Sequence, residues 1–194
     1  MRRIGLFCGS FNPIHIGHTS LAKEIIKSTD LDEIWFVVSP HNPLKQQAGL
    51  LDEQERLKMV DIALHGNPQM HSSDIEFRLP KPSYTINTLK YLNLTYPDYR
   101  FSLIIGSDNL RVFHLWREHD YILQNFNIIV YPRQGDNMRD LKGLYPSVNV
   151  VEAPLLPISS TEIRDMIRHN DISSAKKWLD PEVLRYIIEK AKFS

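Results

Sequence analysis

The sequence predicts an α/β fold, a Rossmann-like three-layer architecture around a mostly parallel sheet. Short runs apolar on both faces recur at 3–8, 33–38, 101–105 and 126–131, and strands of that kind are covered by helices on both sides. Stretches with helical spacing of apolar residues lie between them, and strand–helix–strand alternation belongs to parallel sheets. A length of 194 residues suits one domain, 1–194, with a C-terminal helical portion from about 159.

The elements follow in order. After the first strand, residues 17–28 place Leu21, Ala22, Ile25 and Ile26 on one helical face. Residues 53–64 do the same with Leu57, Val60 and Leu64, behind Asp52 as N-cap with Glu55 three residues on. Weaker strands are expected near 69–75 and 148–151. Residues 84–94 carry Ile86, Leu89 and Leu92 at helical spacing, with Thr85 near the start and Pro97 just beyond the end. Asp108 is placed to cap a short helix over 109–113. Residues 132–147, with two glycines and two prolines, read as a surface loop with one helical turn at most. Asp180-Pro181 opens a last helix whose stripe is Val183, Leu184, Ile187, Ile188 and Ala191.

Composition narrows the function. Lys plus Arg and Asp plus Glu are both 23, so the basic excess of a nucleic-acid or membrane-surface binder is missing. The longest apolar run is five residues, Ile34 to Val38, where a membrane helix needs about 20. The apolar stretch Ile4 to Cys8 is too short for a signal peptide. A single cysteine, Cys8, excludes an intrachain disulfide and a cysteine-based zinc site, and it is expected to be a small buried hydrophobe. The expectation is a cytoplasmic protein that binds no nucleic acid and no membrane.

Chemistry concentrates at two helix starts. Gly9-Ser10-Phe11-Asn12-Pro13-Ile14-His15-Ile16-Gly17-His18 joins the first strand to the first helix. An α/β protein binds phosphate at such a turn, where free N–H groups and the helix dipole favour an anion. Gly9 admits a ligand close to the backbone, and His15 and His18, three apart, can each donate to a phosphate oxygen. A zinc pair and a plain turn with two partly exposed histidines are the alternatives, and neither a dinucleotide fingerprint nor a Walker A loop is present. The second stretch is Ile158-Ser159-Ser160-Thr161-Glu162-Ile163-Arg164. A capped helix explains Ser159 and Glu162; it does not explain three successive hydroxyls with an arginine one turn later. Ser160, Thr161 and Arg164 make a second anion site, and two such sites suggest a triphosphate that brings its own Mg²⁺, with no metal site on the protein.

These two motifs together resemble the nucleotidyltransferases of the His-x-Gly-His superfamily and, within it, the bacterial nicotinate-nucleotide adenylyltransferases. The likeness extends through Ser39-Pro40 to Lys45, Ser83-Tyr84-Thr85, Ile105-Gly106-Ser107-Asp108, Trp116 and Tyr131-Pro132-Arg133. It implies transfer of AMP from ATP to nicotinate mononucleotide, giving nicotinate adenine dinucleotide and pyrophosphate in NAD biosynthesis. It also implies an ATP site of Gly9, Ser10, Phe11, His15, His18, Gly106, Asp108, Ile158, Ser159, Ser160, Thr161 and Arg164, with His15, His18, Lys45 and Arg164 acting on the phosphates. The acceptor falls to Ser10, Lys45, Thr85, Trp116 and Arg133, Trp116 by stacking. Two positions depart from the family pattern. Asn12 stands where Asp is common, and Pro43-Leu44-Lys45 replaces Pro-His-Lys, leaving His41 as a substitute histidine.

An acceptor phosphate is already anionic, so the chemistry needs positioning and charge stabilisation rather than a base. No basic residue is assigned beside Thr85 or Trp116, so backbone N–H groups and the Thr85 hydroxyl are expected to hold the acceptor carboxylate. Arg111, Arg117 and Glu118 read as a solvated helix face, and His65, His71, His114, His119 and His169 have no assigned partners. The alternatives are a sister enzyme using nicotinamide mononucleotide or phosphopantetheine, and a nucleotide sensor without turnover.

Overall fold

The computed structural model describes residues 1–40, 49–133, 135–153, 156–190 and 193. Six strands form one sheet in the order β3-β2-β1-β4-β5-β6, with every neighbouring pair parallel. They are β1 (Arg2–Gly9), β2 (Glu33–Val38), β3 (Met70–Ser73), β4 (Tyr99–Gly106), β5 (Asn127–Tyr131) and β6 (Asn149–Val150). Each run apolar on both faces became a strand because helices cover both faces, which is the predicted three-layer arrangement.

Alternate residues of each strand enter different cores. Phe7, Phe36, Val38 and Ile104 meet α1 (Ile16–Ser28), α2 (Glu53–Leu64), α7 (Ser160–Arg168) and α9 (Pro181–Glu189) on one face. Leu6, Val37, Leu103 and Val130 meet α3 (Thr85–Thr95), α4 (Ser107–Arg111), α5 (His119–Asn125) and α6 (Met138–Leu144) on the other. A short α8 (Ile172–Ala175) links α7 to α9.

Three local expectations are corrected. Residues 132–147 hold the helix α6, capped by the Asn137 side chain on Arg139 N and anchored by buried Leu141. Asp108 does not cap α4; Gly106 occupies that position and Asp108 lies in the first turn. Asp52 caps α2 through Gln54 N, but Glu55 makes no reciprocal bond and instead accepts from Tyr186 Oη at 2.7 Å, tying α2 to α9. That contact raises the Tyr186 phenol to about 12, with desolvation the larger cause.

One side chain ties the loops at the carboxyl ends of the strands together. Arg56 is 1% exposed, although it sits on a helix rich in charge. Its guanidinium donates to Leu51 O at 2.9 Å, Ser10 O at 2.8 Å, Ser39 O at 2.8 Å and Pro40 O at 3.3 Å. Burial lowers its pKa to about 10, still far above neutrality, so it stays charged. Replacing Arg56 with Met would strand these carbonyls in the interior. The expected cost is about 3–5 kcal/mol, read as a lower urea midpoint at unchanged m-value. A loss under about 1 kcal/mol would remove Arg56 from this role.

Candidate active site

The sheet order reverses between β1 and β4, and ligands of open α/β sheets bind beyond the carboxyl ends at such a point. The loop after β1 is held in a strained shape. Phe11 has φ +45°, uncommon for a bulky side chain, and its buried ring packs edge-on to Phe7 and His18. The ring fills the space a side chain on Gly9 would need, since a Cβ there would lie 2.9 Å from Phe11 Cζ. Gly9 therefore serves this packing as well as bordering a cavity. Asn12 is buried and uses both ends of its amide, donating to Gly49 O at 2.9 Å and accepting from Leu51 N at 3.3 Å. An aspartate could not make both bonds, so Asn12 is a loop clamp here.

The two histidines form a capping box. His15 is the N-cap of α1, and its Nδ1 accepts from Gly17 N at 3.1 Å. His18 Nδ1 accepts from His15 N at 3.2 Å, and the ring centroids are 3.8 Å apart. Each Nδ1 is an acceptor, so neutral rings carry the proton on Nε2, as inferred from the bonding pattern. His15 is 7% exposed, more buried than a turn histidine was expected to be. Burial, aided by the charge of Arg133, lowers its pKa from 6.5 to about 4, and Glu162 opposes the shift. The pair thus presents oriented Nε2 donors, with His15 uncharged at physiological pH.

The late motif reaches across to the early one. Ser160 Oγ donates to Pro13 O at 2.9 Å, and Arg164 Nη1 donates to Asn12 O at 2.8 Å. Arg164 Nη2 bonds Thr161 Oγ1 at 3.1 Å, while Ser159 forms a capping box with Glu162. Ser159 and Ser160 thus spend their hydroxyl protons on capping and joining, whereas Thr161 Oγ1 only accepts from Arg164. Available toward an anion are the N–H groups at the start of α7 and Arg164 Nε, which is buried with no protein partner. Buried Ile158 packs just ahead of the cap, beside Gly17.

On the far side of β1, Gly106 ends β4 and its missing Cβ makes room for Asp108 Oδ1, which would overlap any side chain there. Arg133 Nε lies 3.7 Å from Asp108 Oδ1, and its guanidinium sits 5.2 Å from the Tyr131 ring centre. Ser107 Oγ donates to Asp136 Oδ2 at 2.5 Å and accepts from Arg133 N at 2.7 Å. Arg111 pairs with the other Asp136 oxygen while its side chain stays exposed, in keeping with the expected solvated face.

Between these groups opens a cavity of about 310 Å³, bordered by Gly9, Ser83, Thr85, Gly106 and Trp116. The structure thus joins Thr85 and Trp116, as expected, to the carboxyl ends of β1 and β4. Helix α3 begins here without a side-chain cap, since Tyr84 at the N-cap position makes no such bond. Arg117 also borders the cavity, 5.2 Å from the Tyr84 ring centre, and Glu118 beside it is left-handed and paired with Lys90. Cys8, half-buried, packs against the core on the α3 face and lines the cavity too. Lys45 and His41 lie outside the described residues. Sequence reasoning missed Arg56, Asp136 and the cavity residue Glu76. Among the expected bystanders, His71 and His119 lie 3.4 and 3.2 Å from Glu33 and Asp120. No group of three or more His, Cys, Asp or Glu residues fit to hold a metal occurs among the described residues.

Residues 6–166 match the cytidylyltransferase-like family, and the chain belongs to it. Relatives give the narrower class. The chain is 46% identical to a probable nicotinate-nucleotide adenylyltransferase of Flavobacterium johnsoniae, covering 95% of each. It is also 46% identical to one of Bacteroides fragilis, covering 97% of the chain and 92% of the relative. The chain therefore belongs to the nicotinate-nucleotide adenylyltransferases, enzymes of nucleotidyl transfer. A solved structure of a Plasmodium falciparum nicotinic acid mononucleotide adenylyltransferase complexed with NaAD has the same fold. Its TM-score is 0.82 at 24% identity, covering 100% of this chain and 99% of that one.

Gly17 offers a test that separates function from folding. A Cβ there would lie 2.8 Å from His15 Nδ1 and Cε1. Alanine favours a helix by about 0.5–1 kcal/mol, so Gly17→Ala is expected to keep thermal stability within about 1 kcal/mol while displacing His15 and cutting turnover at least about tenfold. Unchanged turnover would detach the His15 pose from catalysis. His15 titration gives a second test. Its folded pKa lies below the unfolded value, so the unfolded chain binds more protons between pH 6.5 and about 4. Stability should fall as pH drops through that window and level off below it. His15→Gln should flatten this slope.

Proposed function

We propose that the chain transfers AMP from ATP to nicotinate mononucleotide, with the residues in the following roles. The reading rests on one observation: paired imidazoles and the α7 start stand on one side of the β1–β4 divide, and the Trp116 cavity opens beside them. Nε2–H of His15 and His18 donates to ATP phosphates, and Arg164 with the α7 N–H groups takes the outgoing pyrophosphate. Gly106 and Asp108 face the nucleoside, with Asp108 toward the ribose, and Arg133 beside Asp108 serves the acceptor. An acceptor phosphate oxygen attacks Pα in line, the new P–O bond forms, and the Pα–O bond to pyrophosphate breaks. No proton has to move, so no carboxylate base is required. Mg²⁺ enters with ATP as part of the substrate, held by phosphate oxygens and water. Composition and the single cysteine support a cytoplasmic setting.

The acceptor ring stacks on Trp116, and its carboxylate meets the uncapped N–H groups of α3. Oriented N–H donors favour a carboxylate over an amide, whose NH₂ end would face donors unpaired. Nicotinate mononucleotide should exceed the nicotinamide form by at least about tenfold in kcat/KM, measured by pyrophosphate release. Equal efficiencies, or a preference for the amide, would overturn the acceptor assignment and leave adenylyl transfer intact. His18→Ala should lower kcat by roughly 10²–10³ and cost about 1 kcal/mol of capping. Arg164→Lys should weaken ATP use while acceptor binding persists, since lysine lacks the planar fork.

A further inference from the structure

A buried acid stands in the wall of the proposed acceptor cavity, where a carboxylate ligand would least tolerate one. Glu76 is 2% exposed and lies in the 3₁₀ turn Ile75–Arg78, after β3. Its Oε1 accepts from Thr88 Oγ1 at 2.9 Å, across to α3. Its Oε2 is buried with no hydrogen bond. Trp116 Nε1, a second buried polar atom without a partner, belongs to a residue that lines the same cavity, and Ser83, whose hydroxyl favours the charged form of Glu76, lines it too. Native interiors leave few orphaned atoms, and two at one cavity mark a polar recess that a ligand or water completes.

We propose that Glu76 is a specificity-determining residue of the acceptor pocket, its carboxyl setting how strongly a ring carboxylate is preferred over a ring carboxamide. The inference rests on the reading of this cavity as the acceptor site. A neutral carboxyl can donate toward a ring carboxylate; an ionised one repels it and accepts from a carboxamide NH₂. The surroundings bear on which form is present. Desolvation raises the Glu76 pKa, while the hydroxyls of Ser39 just after β2, Thr88 from α3 and Ser83 from the loop before α3 favour the charged form. Cys8 of β1 faces Glu76, and its thiol is raised mainly by burial and partly by that charge. Arg117 is the one cation bordering the cavity among the described residues, and Tyr84 and Tyr131 add neutral phenols.

The sign follows. With its pKa raised by burial, Glu76 ionises at a higher pH than a solvated glutamate, and ionisation turns it from a donor into a like charge toward the ring carboxylate. Preference for nicotinate over nicotinamide mononucleotide should therefore fall with rising pH. The ratio of the two kcat/KM values isolates this effect, because phosphate, ATP and His15 titrations are common to both acceptors and cancel. Across the pH at which Glu76 ionises we expect the ratio to drop roughly tenfold, the order for like charges sharing such a cavity at an effective dielectric of about 20. Glu76→Gln is nearly isosteric and keeps an acceptor for Thr88; it should give a ratio that is high and flat with pH, at unchanged KM for ATP. Thr88→Val removes a bond that favours the charged form and should shift the fall to higher pH. A ratio independent of pH in the natural protein, or an undiminished fall in Glu76→Gln, overturns the proposal. Trp116→Ala distinguishes the two levels. If it raises KM for ATP and spares the acceptor, the cavity assignment fails. If it raises KM for the acceptor while Glu76→Gln changes nothing, only the role of Glu76 fails.

Discussion

A cation without a carboxylate sets the geometry of the catalytic end of this protein. Arg56 is enclosed, charged and surrounded by carbonyl oxygens from the loops after β1 and β2 and from the approach to α2. A buried charge is tolerated only when hydrogen bonds replace its hydration, and each carbonyl dipole does part of that. The bonds are also positional. Ser10 O and Ser39 O cannot drift apart while both accept from one Nη1, at 2.8 Å each. The loop that carries Phe11, Asn12 and the histidine pair is thereby fixed to the sheet before any ligand arrives.

From that anchor, the site is assembled with atoms that serve folding and, on the proposed reading, binding at once. His15 and His18 satisfy backbone N–H groups at the α1 start, and the same bonds define which ring nitrogen carries hydrogen. Ser160 and Arg164 hold α7 against Pro13 and Asn12, although these motifs are 147 and 152 residues apart in sequence. A phosphate-binding arrangement normally risks loose, repelling N–H and guanidinium groups. Here carbonyls occupy part of that donor capacity, leaving the buried Arg164 Nε without a protein partner.

Strands and long helices were legible because their signals are local. Residues 33–38 and 53–64 match β2 and α2 at both ends, since Asp52 and the apolar spacing act within one segment. The Ser159–Glu162 cap of α7 was legible for the same reason. Arg56 was not, because it sits among Gln54, Glu55 and Lys58 on a helix that looks solvated, and three of its four partners come from two distant loops. Glu76 was hidden likewise, an acid in a short charged segment whose partner Thr88 belongs to another helix. Asp108 was misassigned because Gly106, lacking a side chain, gives no capping signal while still taking the cap position. The α6 helix was read as loop because glycine and proline flank it, and only tertiary burial of Leu141 outweighs that.

A chain with no net charge can handle a triphosphate because the charge is sorted by place. Arg164, Arg133 and Arg117 stand at the carboxyl ends of the strands, while Arg3, Asp30 and Asp32 pair with one another at the opposite end. Among the described groups nearest the β1 turn, donors outnumber cations, and His15 is neutral by burial. On the proposed reading this has a kinetic meaning. Full cations on every phosphate would bind ATP and pyrophosphate alike, which is uniform binding and slows release. Neutral, oriented donors gain most where charge develops at Pα and on the leaving oxygen. The burial that takes the charge from His15 thus costs some ground-state affinity and directs the remaining interaction toward the transition state.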